Sequence, residues 1–216
     1  MIRIFVTLIL SCSLLIAHSQ SDIIDNETFN KALEHYNQAV LDFDSEDFKS
    51  AIANFRKAHN LNSGNSDYPF GLASSFYEIN AYDSAKKYIE IAIQLAPDQP
   101  DYHYKAGGIY FKSKDYQKAV HNYNMTLSNL NDEYFIDLQD CYFNKAVSEF
   151  YLEEYSSAIS DLTLLINEDS EEYNYIHLRG VSYLKIKKLA EACSDLEKAD
   201  ALGNPNSGQY LAKYCN

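Results

Sequence analysis

The stretch Asp115-Tyr116-Gln117-Lys118-Ala119 decides the fold of this chain, because four more copies of its pattern are spread along the sequence. Each copy has a ring or Leu three residues before an alanine. The copies are DFKSA at 47–51, AYDSA at 81–85, DYQKA at 115–119, EYSSA at 154–158 and KLAEA at 188–192. The closing alanines are 34, 34, 39 and 34 residues apart. Self-similarity at this period predicts an array of stacked units.

Three more positions keep their phase relative to the closing alanines. Twelve residues earlier the residue is always small: Ala39, Ala73, Gly107, Ala146 and Gly180. Four and seven residues later come Phe55, Ile89, Tyr123, Leu162 and Leu196, then Ala58, Ala92, Thr126, Leu165 and Ala199. Spacings of three, four and seven form one stripe of a helix, and small residues let two helices cross closely. Each unit is therefore predicted to be a pair of amphipathic helices that stacks on its neighbours.

This pattern resembles the tetratricopeptide repeat, a 34-residue helical hairpin. The second unit matches it at Ala73, Phe76, Tyr82, Ala85, Ala92 and Pro97. The early Trp of the family is absent from every unit, and only Pro97 fills the terminal proline position. The resemblance implies an all-α fold, an α-solenoid of about five hairpins with a C-terminal capping helix.

The spacing of the alanines sets the predicted organisation of the chain. The 39-residue interval requires five extra residues between the third and fourth units. The predicted segments are a signal peptide at 1–19, a lead-in at 20–31, repeats at 32–65, 66–99, 100–133, 139–172 and 173–206, an insertion at 134–138 and a capping helix at 207–216.

The first nineteen residues differ in composition from the rest. Arg3 gives a short positive start, and residues 4–17 are mostly apolar and uncharged. Such a segment is typical of a secretory signal peptide, here with cleavage between Ser19 and Gln20. The alternative is that Cys12 is a lipoprotein cysteine, which is the one route by which a membrane partner is expected. The predicted location is accordingly exported, either periplasmic or secreted and in association with the envelope if Cys12 is lipidated.

Charge narrows the classes of partner. Thirty-one acidic against eighteen basic residues give a formal charge of −13. Binding to the phosphate backbone relies on Lys and Arg, so nucleic acid is not an expected partner, and an anionic lipid surface is equally unfavourable.

Three cysteines follow the predicted signal peptide, at wide spacings that fit no metal motif: Cys141, Cys193 and Cys215. The C-terminal stretch from Cys193 resembles the ending of many exported bacterial repeat proteins. That resemblance implies a Cys193–Cys215 disulfide that pins the capping helix to the last hairpin. Two buried free thiols are the alternative.

The resemblance also implies a binding surface on the first helix of each hairpin, at the concave side of the array. Carried over by position, the implied partner-binding residues are Tyr36, Val40, Phe70, Tyr77, Tyr104, Phe111, Phe143 and His177. Most are rings, as are Phe43 and Phe150 at related positions, and Leu184 completes the set. Rings give large contact areas at a low entropic cost, so we expect a groove for a protein or peptide partner, with about half of the set serving as core.

Other functions receive little support from the sequence. The Lys, Asn and Arg with which one subfamily grips chaperone C-termini are missing, since Tyr36, Val40, Phe70 and Ser74 stand at those positions. Lys105, Lys112 and Arg179 are interpreted as solubilising charges. No catalytic constellation, metal motif or cofactor fingerprint occurs, so neither an enzyme nor a small-molecule substrate is expected. An interaction scaffold is the first hypothesis, and a structural subunit that assembles through the ends of the array is the second.

Overall fold

The computed structural model describes residues 26–130 and 136–215. The predicted signal peptide, its cleavage site and Cys12 lie outside these residues, as does the first part of the predicted insertion at 134–138. Within the described residues the secondary structure consists of helices and turns, which confirms the all-α prediction.

The described residues form two compact units, which divide between Ala96 and Pro97. The first contains α1 at residues 26–44, α2 Phe48–Leu61, α3 Asp67–Glu78 and α4 Tyr82–Leu95. The second contains α5 Pro100–Lys112, α6 Tyr116–Asn129, α7 Leu138–Tyr151, α8 Tyr155–Glu168, α9 Tyr173–Lys185, α10 Leu189–Ala201 and α11 Ser207–Tyr214. Residues 26–31 of the predicted lead-in form the first turns of α1.

Consecutive helices pack against each other within each unit, as expected of stacked hairpins. In the second unit, α7 also contacts α5 and α9, so the first helices of neighbouring repeats meet. The predicted stripes form the core: the five closing alanines are fully buried, and Phe55, Ile89, Tyr123, Leu162 and Leu196 are at most 4% exposed.

Two glycines lie where helices approach closely: Gly107 between α5 and α6 of one hairpin, and Gly71 between α2 and α3 of neighbouring hairpins. A Cβ on Gly107 would lie 2.5 Å from the ring of Tyr123, and one on Gly71 would lie 2.5 Å from the ring of Phe55. Such distances are well inside van der Waals contact. The close crossing predicted at Gly107 is therefore confirmed, and Gly71 is a second position where a ring takes the place of a side chain.

Every hairpin turn uses the same backbone geometry, which the sequence pattern did not show. One residue per turn has a positive φ, between 59° and 64°: Glu46, Asn80, Lys114, Glu153 and Lys187. The next amide donates to the carbonyl five residues before it, as in Asp115 N to Tyr110 O at 2.9 Å. In this type of helix ending, a residue in the left-handed conformation lets the following amides donate to the last carbonyls of the helix. Glycine is the residue most often found at the left-handed position.

Candidate functional site

The predicted partner-binding residues share one property, which is that all eight are half-buried. Unit 1 contains Tyr36, Val40, Phe70 and Tyr77, and unit 2 contains Tyr104, Phe111, Phe143 and His177. Each of these side chains therefore has both a packing contact and an accessible part. The same side chain therefore contributes one part to the core and another part to the accessible surface, so the set does not separate into core residues and surface residues.

The rings early in the first helices pack at the contacts between neighbouring repeats. Tyr36 lies 5.3 Å from Tyr68, centroid to centroid, and Phe143 lies 5.0 Å from Tyr175. Burial raises the pKa of the Tyr36 and Tyr175 hydroxyls. Truncation of these rings would lower the stability of the array as well as the affinity for a partner. They are therefore poor positions at which to test binding alone.

The rings at the ends of the first helices pack across the hairpin turns. In four repeats this ring meets the ring that opens the second helix, edge to face, at centroid distances of 5.3–5.9 Å. The pairs are Phe43–Phe48, Tyr77–Tyr82, Phe111–Tyr116 and Phe150–Tyr155. Edge-to-face geometry is the favoured arrangement of aromatic pairs. In the fifth repeat, Leu184 and Leu189 occupy the two positions.

In unit 2 these pairs join into a row of rings that we call the aromatic row: Phe111, Tyr116, Tyr151, Phe150 and Tyr155. Tyr116 and Tyr151 stack with centroids 4.7 Å apart, and Tyr151 also lies 6.1 Å from Phe150. The Tyr151 side chain is 56% exposed, the largest exposure among the rings of the row. Since Tyr151 was not in the predicted set, the sequence missed the most accessible member of this surface.

A cavity of about 380 Å³ lies beyond the aromatic row, between α9, α10 and α11, and we call it the cap pocket. Its apolar walls are Leu184, Leu189, Tyr210 and Tyr214. Leu189 is 51% exposed and Tyr214 is 43% exposed, so these two walls are open to solvent. The volume falls in the range of sites that hold small ligands or single bulky side chains.

Two lysines complete the lining of the cap pocket. Lys185 and Lys187 are exposed, and no described carboxylate lies within ion-pair distance of either ammonium group. The ammonium of Lys185 also lies 5.9 Å from the centre of the Tyr155 ring. This lysine therefore links the end of the aromatic row to the pocket.

The capping helix α11 is held in place by a disulfide and a histidine. The structure joins Cys193 of α10 to Cys215, which follows α11. The Nδ1 atom of His177 lies 2.8 Å from Ser207 Oγ, and the His177 ring meets Tyr210 at 5.5 Å. Burial lowers the pKa of His177. His177 is thus a residue that docks the cap, and the accessible surface at this position is provided by Tyr210 and Tyr214.

Two buried ion pairs repeat at equivalent positions in the last two hairpins. Lys145 contacts Asp161 at 2.6 Å and Glu149 at 3.3 Å. Arg179 donates two hydrogen bonds of 2.8 Å to Asp195 and one to Thr163. The interpretation of Arg179 as a solubilising charge was therefore wrong. A signal existed in the sequence, since a cation on the first helix precedes an Asp by sixteen residues in both repeats.

Glu149 is the most perturbed acid of this group. Its carboxyl is buried, and burial together with the nearby Asp161 raises its pKa to about 7. One of its oxygens, Oε2, has no hydrogen-bond partner. Cys141 is buried as a free thiol nearby, and burial raises its pKa to about 12, so the thiol is protonated at neutral pH.

Searches for other kinds of site add two observations on the described residues. They contain no group of three or more His, Cys, Asp or Glu side chains placed to hold a metal ion. Among the same residues, every helix is too short or too polar to cross a membrane.

Comparison with known proteins supports the resemblance in one part of the sequence and in the fold. Residues 42–106 match the model of the tetratricopeptide repeat family. The solved structure of YrrB, described as a tetratricopeptide repeat protein with an unusual peptide-binding site, superimposes with a TM-score of 0.77 over 90% of this chain and 97% of YrrB, at 19% identity. The family match places the tetratricopeptide repeat at residues 42–106, and the stacked hairpins of the described residues share the fold of solved tetratricopeptide repeat proteins.

Two curated relatives are similar over part of their length. The Hsp70-Hsp90 organising protein of Plasmodium falciparum is 29% identical over 139 residues, which cover 63% of this chain and 25% of that protein. The peptidyl-prolyl cis-trans isomerase CYP7 of Saccharomyces cerevisiae is 32% identical over 108 residues, which cover 42% of this chain and 28% of that protein. The matched regions thus span about a quarter of the length of either relative.

Proposed function

We propose that the chain is a non-catalytic scaffold that binds a segment of a partner protein on its ring-bearing surface. Tetratricopeptide repeat proteins bind protein or peptide partners, and the family is typically non-catalytic. The observation that carries the proposal is the aromatic row of unit 2, whose rings stay half-buried or exposed instead of closing into the core. Rigid rings of this kind supply contact area at a low cost in conformational entropy.

The similar proteins support binding of a protein or peptide partner in general. One neighbour in structure is described as binding a peptide, and one relative organises chaperones. The chaperone partner is not carried over, because Tyr36, Val40, Phe70 and Ser74 stand where a carboxylate-binding set would need Lys, Asn and Arg. The partner proposed here is one that offers apolar side chains.

The second hypothesis, assembly through the ends of the array, is disfavoured at the C-terminal end. Four of the five exposed residues of α11 are small or polar, namely Gly208, Gln209, Ala212 and Lys213, and the fifth is Tyr214 at the cap pocket. Terminal repeats of stacked arrays need such a polar cover. This composition is that of a closed end, whereas an end that stacks on another copy would present an apolar face.

Export from the cytoplasm forms part of the proposal. It is supported by the apolar segment with a positive start at the N-terminus, and by the disulfide at the capping helix, since disulfides persist in oxidising compartments. Fractionation of the native host tests it: the chain should be found outside the cytoplasm without residues 1–19, and a cytoplasmic, full-length chain would contradict it.

Affinity capture with a Tyr116→Ala/Tyr151→Ala variant tests the scaffold function. The two rings stack on each other at the surface, so their loss removes the middle of the aromatic row with a small effect on the core. The matched control is Leu41→Ala/Leu164→Ala, which truncates two apolar side chains that are 62% and 50% exposed and lie outside the row.

We expect the ring variant to lose a protein that the parent and the control both capture, while all three chains melt at similar temperatures. Capture that is equal for the ring variant and the control would contradict binding through the aromatic row. Turnover of a substrate by the purified chain would contradict the non-catalytic part.

A further inference from the structure

The cap pocket has properties that define a more specific ligand than the aromatic row alone. It joins open apolar walls, Leu189 and Tyr214, to two lysines that have no described acidic partner. The whole chain, in contrast, carries a formal charge of −13. The pocket therefore carries positive charge on an otherwise acidic protein. This local charge favours an acidic ligand, whereas the rest of the molecule would repel one.

We infer that the cap pocket binds a bulky apolar side chain of an acidic partner segment, with Lys185 and Lys187 pairing with carboxylates that flank it. This inference rests on the proposed scaffold function and names the chemistry of the partner. Because the apolar walls would bury the side chain while the lysines stay at the solvent edge, the charges would contribute mainly to specificity and to the rate of association.

Continuity with the aromatic row favours a peptide over a small molecule as the occupant. Lys185 lies against Tyr155, the last ring of the row, and also lines the pocket. A segment that runs along the row to Tyr155 would therefore reach the pocket at Lys185. The pocket is also open to solvent at Leu189 and Tyr214, so the chain that bears the occupant can remain outside it.

The geometry of the cap explains why the pocket exists at all. Tyr210 and Tyr214 belong to α11, which is fixed by the Cys193–Cys215 disulfide and by the contact between His177 and Ser207. The opposite walls, Leu184 and Leu189, stand at the positions that carry a ring pair in the four preceding repeats. Smaller leucines at this one hairpin leave the space that a ring would fill elsewhere.

Titration with designed peptides tests the inference on the full chain. The first probe is an acetylated and amidated peptide in which Leu-Phe is flanked on both sides by Asp and Glu, and the second replaces those acids with lysines. Blocked termini ensure that the only carboxylates are those of the side chains. Binding is followed by isothermal titration calorimetry, and the site is located by amide chemical shifts of a labelled chain.

We expect saturable binding of the acidic peptide, with shift changes centred on Leu189 and Tyr214, and much weaker binding of the lysine peptide. Lys185→Glu/Lys187→Glu should lower the affinity for the acidic peptide by about tenfold or more, because it reverses the local charge. The same change should raise the affinity for the lysine peptide. The matched control, Lys49→Glu/Lys57→Glu on the exposed side of α2, makes the same change in net charge and should bind like the parent.

The wall is tested separately with Leu189→Ala/Tyr214→Ala, in which both changed side chains are largely exposed and the fold should be retained. This variant should lose both peptide affinity and the shift changes. Equal binding of the two peptides, or equal effects of the two charge-reversal variants, would overturn the inference. If Tyr116→Ala/Tyr151→Ala still abolishes capture of a partner in that case, the scaffold function stands and only the acidic chemistry of the partner is wrong.

Discussion

Arg179 donates two hydrogen bonds, each 2.8 Å long, to the two carboxylate oxygens of Asp195, and thereby ties α9 to α10 within the last hairpin. Asp195 is only 7% exposed. The hydrogen bonds to Asp195 raise the pKa of the Arg179 guanidinium above its usual value. The buried charge of Asp195 is therefore compensated by Arg179.

The first prediction is that Arg179→Ala lowers the free energy of unfolding by about 3 kcal/mol, because it leaves the buried charge of Asp195 unpaired. Urea unfolding followed by circular dichroism measures the change. The double variant Arg179→Met/Asp195→Leu removes both charges and should lose much less stability. A double variant as unstable as Arg179→Ala would show that the cost comes from packing and not from the charge.

The second prediction concerns the pH dependence of Glu149. The native state keeps its proton up to about pH 7, whereas the unfolded chain loses it near 4.5, so the stability contributed by this group falls as the pH rises through that window. Glu149→Gln imitates the protonated form. At about pH 8 it should raise the free energy of unfolding by about 1–3 kcal/mol, and near pH 4 it should match the parent.

The control for Glu149 is Glu197→Gln, which changes the same residue type at an exposed position of α10. This exposed substitution should stay within about 0.5 kcal/mol of the parent at about pH 8. Chemical denaturation at several pH values makes the comparison. If Glu149→Gln is no more stable than the parent at about pH 8, the carboxylate is accommodated in the native state and the raised pKa is wrong.

The third prediction tests the crossing of α5 and α6. Gly107→Ala should lower the free energy of unfolding by about 1–3 kcal/mol, because the new Cβ would lie 2.5 Å from the Tyr123 ring, which is itself buried. Helix propensity alone predicts the opposite sign, since alanine favours a helix by about 1 kcal/mol over glycine. Gly64→Ala, whose Cβ would be 3.6 Å from its nearest neighbour, is the control and should stay within about 0.5 kcal/mol of the parent.

The fourth prediction uses the left-handed turn residues. Glu153 has a φ of 64°, a conformation that costs a residue with a Cβ about 1 kcal/mol and glycine almost nothing. Glu153→Gly should therefore raise the free energy of unfolding by about 1 kcal/mol. Glu197→Gly, within helix α10, should lower it by a similar amount. Thermal and urea unfolding of both variants decide the point, and destabilisation by both would contradict it.

Much of the fold could be predicted from the sequence because the repeat period reflects packing contacts between residues that are close in sequence. Alanines at 51, 85, 119, 158 and 192 mark one buried position in five successive hairpins, and the rings and small residues around them keep fixed phases. In an array each unit contacts mainly its neighbours, so a pattern of 34 residues specifies nearly the whole core. The left-handed turn residues were not predicted, because they are Glu, Asn and Lys and share no side-chain property that marks the position.

The candidate site was predicted less completely, because accessibility depends on contacts across repeats. Position within the repeat selected Phe111 but not Tyr151, although the structure makes Tyr151 the most exposed ring of the aromatic row. Position likewise selected His177, whose ring in fact docks α11. Neither outcome follows from spacing along one helix, since Tyr151 stacks on Tyr116 of the preceding repeat and His177 contacts a helix thirty residues further along.

The sequence by itself determined that this chain is a stack of helical hairpins, because side-chain size and apolarity recur at helical spacing and at the family's period. The tertiary structure decided which rings remain accessible, how deeply the charge pairs are buried and where a pocket opens. Those properties arise where separate helices meet: Arg179 with Asp195, Tyr116 with Tyr151, and Leu189 with Tyr214 around the cap pocket. Each depends on distances between side chains that are far apart in the chain, and only folding fixes those distances.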